Sequence, residues 1–541
     1  MILELDLTQP LVDPPPGDTF AQLRSRGRRQ LRPTIRALHE AARDPRVVAL
    51  GAKVGGPLTW ATMHELRGGV QAFFDAGKPT VAWAETFPDG SIGTCAYVLA
   101  AGFGEIWLQP GGGLGLVGVA VETTFLRGTL DKLGVQPELE QRHEYKNAAD
   151  RLTRTEFTQP HRESLEALSA SVYADAVAAV AAGRKMSTDR VRELVDSGPR
   201  TAAEACEVRL VDRLGYRDEV LAAVRQRVGA DAELLFADRW RPRRHLRWPR
   251  PSRRHIALVE VRGGIGPGRS RPGPMGSQVG SDTVATELRA VIEDDRVAAV
   301  VLRVESPGGS AVASEVIWRE VGRVREAGKP VVVSMGDVAA SGGYYVACPA
   351  DRIVALPSTL TGSIGVFGGK FVTSALLEKI GLTTGSVEQG ERSRMWSPRR
   401  TFTEAERERL VAEVDAIYAD FVGKVAAGRG REVAEIEPLA RGRVWTGRDA
   451  DQIGLVDELG GLRDAARAAR RLADLPDDAP LKPALHLRFP ARLGQPRNSD
   501  DPRAQLTAGL PRLMGPGART EWEALLGSDG IQLRMPDLRL R

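Results

Sequence analysis

Two serine–glycine clusters in the second half of the chain carry the residue types that acyl transfer needs. Ser341 precedes Gly342 and Gly343 where a β-branched run from Val331 to Met335 continues through Gly336 and Asp337 to Ala340. Ser306-Pro307-Gly308-Gly309-Ser310 follows a second such run, Val300 to Glu305. A serine set before two glycines at a helix entry can expose its hydroxyl on a tight backbone, with free N–H groups beside it at the positive helix end. Ser341 is then the candidate nucleophile, and an oxyanion formed from an attacked carbonyl would sit between the N–H groups of Gly309 and Gly342. Either cluster taken singly reads better as a tight turn. Ser306 and Ser310 read as turn residues, and Tyr344 and Tyr345 as side chains packed under the helix.

A serine hydroxyl is a weak nucleophile until a base takes its proton. The chain has seven histidines and none stands in a motif beside Ser341. Lysine can serve instead where desolvation lowers its pKa towards neutrality. Cys95, Cys206 and Cys348 form an odd, sparse set without CxxC spacing, which argues against a disulfide framework and against a zinc site. No cofactor is expected, since acyl transfer of this kind requires neither metal nor nucleotide.

The elements that must position these groups come in two copies. AGKP at Ala76–Pro79 returns at Ala327–Pro330, LDKLG at Leu130–Gly134 returns as LEKIG at Leu377–Gly381, and LVDRLG at Leu210–Gly215 returns as LVDELG at Leu455–Gly460. YAD at Tyr173 and AAGR at Ala181 also recur, at Tyr418 and Ala426, so the matches keep their order with little drift in offset. The halves are tandem copies of one domain. Each opens on a short apolar strand, passes through a helical stretch into a buried strand, makes a glycine-rich turn, and closes a second helix at AGKP before another β-branched strand. Strands alternating with helices imply parallel βαβ units with right-handed crossovers, whose strand C-termini face one crevice. The fold class is α/β. The expected organisation is a first repeat over 1–234, an Arg/Pro-rich linker over 235–255, a second repeat over 256–475 and a loop-rich extension over 476–541.

The SMGDVAASGGYYVACPADRIVALPSTLTGSIGV segment, from Ser334 to Val366, resembles the core segment of the signal peptide peptidase SppA family, and the pair of glycine turns resembles the crotonase superfold more broadly. The likeness covers roughly residues 1–470, and the tandem halves match the long form of that family. It implies two crotonase-like (ClpP/crotonase) domains built from repeated ββα units. The His143–Ala149 segment, HEYKNAA, resembles the stretch that carries the family's base, which makes Lys146 the candidate general base of a Ser-Lys dyad. By the same resemblance Ser363 could hold the lysine amine. Lys370, close behind it, is a rival base ranked well below Lys146. The resemblance further implies short apolar peptides as substrates, such as remnants of cleaved signal peptides, and a homotetramer enclosing the sites.

The repeat supplies a separate argument. At the local offset Ser341 corresponds to Thr94, where the Ser-Gly-Gly turn is missing, and Lys146 corresponds to Ser393, where no lysine stands. One copy keeps the nucleophile and the other the base, so a composite site is expected. Two other readings stay open on sequence alone: a crotonase-type enzyme handling acyl-CoA thioesters, and a non-catalytic oligomeric scaffold.

Composition narrows the class. The chain is 541 residues long with 42% hydrophobic and 27% charged residues, as expected of globular domains, and Lys+Arg (75) nearly balances Asp+Glu (70), so nucleic acid is not implied. The run from Arg239 to Arg254, with two tryptophans, reads as a solvated linker, with peripheral membrane contact as the alternative. No basic and apolar leader opens the chain, and no segment approaches the ~18 apolar residues of a membrane span. A cytoplasmic or peripherally membrane-associated protein is expected.

Overall fold

The computed structural model describes residues 1–13, 28–87, 93–242, 254–271, 278–484 and, for the backbone alone, 530–534. The described residues of Met1–Ala120 and Ser169–Pro251 form one compact unit, and those of Val121–Leu168 and Ser252–Arg539 form another. Residues 121–168 belong to the first half by sequence repeat, yet they lie in the second unit.

In the first unit a sheet runs Arg213–Leu214, Glu105–Leu108, Thr80–Ala84, Ala49–Lys53, Ile2–Asp6, Leu234–Phe236, all parallel. In the second, the corresponding order is Glu458–Leu459, Arg352–Ala355, Val331–Ala340, Val297–Ser306, His255–Arg262, Leu481–Pro483, again parallel. The α/β class and its duplication are therefore visible in the strand order itself. The hydroxyls of equivalent buried tyrosines repeat as well: Tyr97 donates to Leu210 O at 2.6 Å in the first unit, and Tyr344 to Leu455 O at 2.8 Å in the second.

Val297–Ser306, VAAVVLRVES, shows why these strands read as nearly continuous apolar runs. Ala299 and Val301 pack with Ala465 and Ala469 of the helix Leu462–Leu472, while Val300, Leu302 and Val304 pack with Leu288 and Ile317 on the other face. With helices on both faces, alternation between apolar and polar residues has no use. Each fully buried valine or leucine contributes roughly 1.5–3 kcal/mol. The helix Ala311–Glu326 begins where Ser310 Oγ accepts the Ala313 N–H at 3.3 Å, and the chain turns out of it through Gly328 at φ +75°. That left-handed residue explains the AGKP signature, because glycine adopts it without steric cost.

One helix, Gln159–Arg184, is long and apolar enough to pass a membrane-span test, with an 18-residue window of mean hydropathy 1.4. This corrects the expectation that no segment approaches that length. Its Val172, Ala176, Val177 and Val180 lie in the core of the first unit, which accounts for the apolar composition. The Arg/Pro-rich linker lies largely outside the described residues, as does most of the extension. Within the extension, Leu481–Pro483 and Gly530–Arg534 are strands.

Candidate active site

The strand Val331–Ala340 delivers Ser341. Its end pairs parallel with Leu360–Gly362, Val338 opposite Leu360 and Ala340 opposite Gly362. The next residues, Ser341 and Ser363, are thereby neighbours, and both take positive φ, +56° and +50°. Serine in that region is strained by roughly 1–3 kcal/mol, and such strain persists where the surroundings over-determine it. Here the Ser341 N–H donates to Gly362 O at 2.8 Å and the Ser363 N–H to Arg443 O at 2.7 Å.

The helix Gly342–Ala347 starts directly after Ser341. A Cβ on Gly342 would lie 2.7 Å from Ser314 Oγ and 3.2 Å from the Gly309 nitrogen, and one on Gly343 would lie 2.6 Å from Ser306 O. Gly343 is thus required by the close approach of the Ser306–Ser310 turn, and Gly342 by that of Ser314 with the same turn behind it. The Gly342 N–H, in the first turn of its helix, has no intrahelical acceptor, and Gly342 stands beside Gly309. Ser306 shapes that turn: its Oγ donates to Gly263 O at 2.7 Å and accepts the Gly308 N–H at 3.1 Å.

Lys146 arrives from the other sequence half but within the same compact unit. The strand Gln136–Arg142 pairs antiparallel with Val366–Val372, with Arg142 opposite Val366. The loop that begins at His143 therefore starts three residues from Ser363. The Tyr145 N–H donates to Arg441 O at 3.2 Å, and Arg441 forms an ion pair with Glu144 at 3.0 Å, which ties the loop down on both sides of the peptide. Lys146 itself is fully buried. Its Nζ lies 2.7 Å from Ser341 Oγ, 2.9 Å from Ser363 O and 3.0 Å from Ser363 Oγ. None of these partners is charged, and burial pushes the amine well below the usual lysine value of 10.5. A fully buried amine within hydrogen-bonding distance of a serine hydroxyl on strained backbone is placed to exchange a proton with it.

Other candidates fall elsewhere. Lys370 is buried, but its Nζ donates to Met395 O at 2.6 Å and lies 4.0 Å from the centre of the Phe402 ring. Tyr344 is bonded to Leu455 as described, and Tyr345 donates to Asp420 at 2.7 Å, so both pack rather than face Ser341. In the first unit, Thr94 Oγ1 donates to Gly118 O at 2.7 Å. Ser393 is exposed.

Three residues escaped sequence reasoning. Gly365 and Gly442 enclose Lys146: a Cβ on Gly365 would lie 3.0 Å from Lys146 Cδ, and one on Gly442 only 2.5 Å from Lys146 N. Ser314 is the third, backing Gly342. Gly442 in the run ARGRVW was the one detectable signal, a glycine in a stretch with no other turn residue.

The model of Peptidase family S49 matches twice, over residues 72–231 and 323–476. The chain belongs to Peptidase family S49. The two matches fall in tandem, as the internal repeat does. Among curated relatives, the chain is 32% identical over 448 residues to "Serine protease SPPA, chloroplastic" of Arabidopsis thaliana, an alignment covering 81% of this chain and 65% of that protein. It is 34% identical to "Protease 4" of Salmonella typhi over 76% of this chain and 67% of that one. It is 32% identical to "Protease 4" of Haemophilus influenzae over 82% and 73%. The alignment thus spans just under two thirds of the length of the plant relative.

Proposed function

We propose that this chain is a serine endopeptidase in which Ser341 is the nucleophile and Lys146 the general base. Ser341 Oγ attacks a peptide carbonyl while its proton passes to Lys146 Nζ. The N–H groups of Gly309 and Gly342 hold the oxyanion, Lys146 returns the proton to the leaving amine, and water then cleaves the acyl ester with the same lysine as base. Ser363 keeps the amine aimed by accepting its N–H groups through the hydroxyl and the carbonyl. The single observation that carries this reading is the 2.7 Å approach of the buried Lys146 amine to Ser341 Oγ. The substrates we propose are short apolar peptides such as cleaved signal peptides, in line with the names of S49 relatives, one of which is "Putative signal peptide peptidase SppA" of Enterococcus faecium. A homotetramer, and a cytoplasmic or peripherally membrane-associated location, complete the proposal.

The test is hydrolysis of a fluorogenic leucine-rich peptide by wild type, Ser341→Ala and Lys146→Ala, each checked for a native thermal transition. Loss of turnover in both variants supports the dyad. Full activity in Lys146→Ala would remove the lysine from the mechanism, and a wild type inert towards varied peptides would favour acyl-CoA chemistry or a scaffold.

A further inference from the structure

The strand that delivers Ser341 is irregular shortly before it does so. Val304 stands opposite Met335 but Ser306 opposite Ala339, so a single residue, Glu305, faces Gly336, Asp337 and Val338. Such a bulge takes backbone groups out of the ladder, and their N–H groups need another acceptor. Glu305 supplies it. Its Oε1 accepts the Asp337 N–H at 3.0 Å and the Val338 N–H at 3.3 Å, and its Oε2 lies 3.2 Å from the Asp337 nitrogen. Gly336 leaves room for that carboxylate, since a Cβ there would lie 1.6 Å from Oε2. The Gly336 carbonyl is held in turn by Thr359 Oγ1, which donates to it at 2.7 Å.

The same residue leads into the glycine turn. The Gly263 N–H donates to Glu305 O at 2.9 Å, and the Ser306–Ser310 turn follows at once. Glu305 therefore joins two pieces of chain through different groups. Its backbone runs on into the turn that carries Gly309, and its carboxylate grips the strand that ends at Ser341. Acyl transfer tolerates little error in the relative placement of such groups, because reacting atoms must come within about 3–3.5 Å in the right orientation. The internal repeat offers a contrast. In the first unit Leu50 faces Thr80 and Lys53 faces Trp83, as Val300 faces Val331 and Arg303 faces Ser334 in the second. Counting on from these pairs, Glu305 corresponds to Gly55. The copy that lacks the Ser-Gly-Gly turn thus has no side chain at this place.

We propose that Glu305 is a positioning residue: by accepting the N–H groups of the bulge it fixes Ser341 against Gly309, and so sets nucleophile and oxyanion donor at their working separation. The proposal rests on the peptidase reading given above. Because Glu305 acts through Ser341 and Gly309, its loss falls on the chemical step, lowering kcat and sparing KM. The geometry asks for an acceptor rather than a charge, since Oε1 alone receives both N–H groups. A glutamine carbonyl oxygen, with two lone pairs, can do the same.

The experiment measures kcat and KM of the full-length chain on a fluorogenic leucine-rich peptide, together with the affinity of a leucyl peptide boronate, whose adduct with a serine is tetrahedral. Glu305→Met, similar in length but without an acceptor, is expected to lose roughly a hundredfold in kcat, the scale of a ~1 Å misplacement, with KM within about twofold of wild type. Boronate affinity should fall along with kcat, as binding of a transition-state mimic does when the site is disarranged. Glu305→Gln, which keeps the shared acceptor, should stay within about threefold of wild type in kcat. Gly336→Ala drives the carboxylate away from the other side and should reproduce the Glu305→Met result, so it carries the test if the methionine variant does not fold. Unchanged kcat in folded Glu305→Met or Gly336→Ala, a loss confined to KM, or a Glu305→Gln variant as impaired as Glu305→Met overturns the proposal. A wild type that neither cleaves the peptide nor binds the boronate overturns the peptidase reading and this role with it, whereas in an active wild type the preceding results overturn the positioning role alone.

Discussion

Gly442 stands so close to Lys146 that no side chain fits between them: a Cβ at Gly442 would meet Lys146 N at 2.5 Å and its Cα and Cβ at 2.6 Å. Gly442 also holds φ +83°. Gly442→Ala must therefore displace the lysine backbone as well as bear a strained dihedral of roughly 1–3 kcal/mol. A shift of a general base by ~1 Å can cost on the order of a hundredfold in rate, so the proposed role of Lys146 makes this displacement measurable. We expect kcat/KM to fall at least tenfold. Gly454→Ala is the matched control, because Gly454 has a similar φ of +78° but its nearest neighbour is the Arg431 guanidinium at 3.5 Å. Its thermal transition should drop and its activity should persist. Equal activity in both variants would show that the crowding at Lys146 is inconsequential.

A lysine that serves as the general base proposed here must be neutral to act. Because burial holds the amine well below 10.5, kcat/KM should be full above the folded-state value of Lys146 and decline as pH falls through it. Lys146→Arg should be inactive at every pH, since guanidinium stays protonated. A pH–rate profile flat to the acid side, in a range where the fold is intact, would argue against a lysine base.

Stability follows the same group with a defined sign. The unfolded lysine binds a proton up to about pH 10.4, whereas the folded one releases it earlier, so between these values the unfolded state holds more protons and stability rises with pH. Lys146→Met removes that dependence. The difference in unfolding free energy between wild type and Lys146→Met should therefore move in favour of wild type as pH rises towards 10, by up to about 1.4 kcal/mol per pH unit within the window. Denaturant titrations at several pH values would measure it, and parallel curves would mean that the amine is not desolvated as described.

Ser363 holds Lys146 through two atoms, its hydroxyl at 3.0 Å and its carbonyl at 2.9 Å. Ser363→Ala removes only the first. The expected result is a roughly five- to tenfold loss in kcat with KM nearly unchanged, the scale of one hydrogen bond of about 1 kcal/mol. Loss in KM alone would place Ser363 in substrate contact instead.

Tyr97 and Tyr344 make equivalent hydrogen bonds in the two units. Phenylalanine at either position leaves a buried carbonyl without its donor, at a cost of roughly 1–3 kcal/mol. Each variant should lower the melting temperature of the chain while sparing kcat, and a selective loss of activity in Tyr344→Phe would assign that hydroxyl a further role.

The parts of the protein that depend on local pattern were determined by sequence alone. β-branched runs alternating with helices set the α/β class. The ordered returns of AGKP, YAD, AAGR and LVDxLG set the duplication. The Ser-Gly-Gly turn at the end of Val331–Ala340 marked Ser341, because a helix entry without side chains is a local property. Lys146 is different. It lies 195 residues from Ser341 in sequence, and its segment was legible only through family resemblance and through the loss of one partner from each repeat. What brings the two together is register: Arg142 opposite Val366 and Ala340 opposite Gly362. Register is a long-range choice among sheet edges, and a shift by one residue would turn these side chains to the other face. The same holds for Gly365 and Gly442, whose need for a missing Cβ exists only once Lys146 is seated between them. It holds too for Gly530–Arg534, a five-residue stretch within a loop-like extension, which becomes a strand only by pairing with Gly308–Ser310 and Val366–Val372.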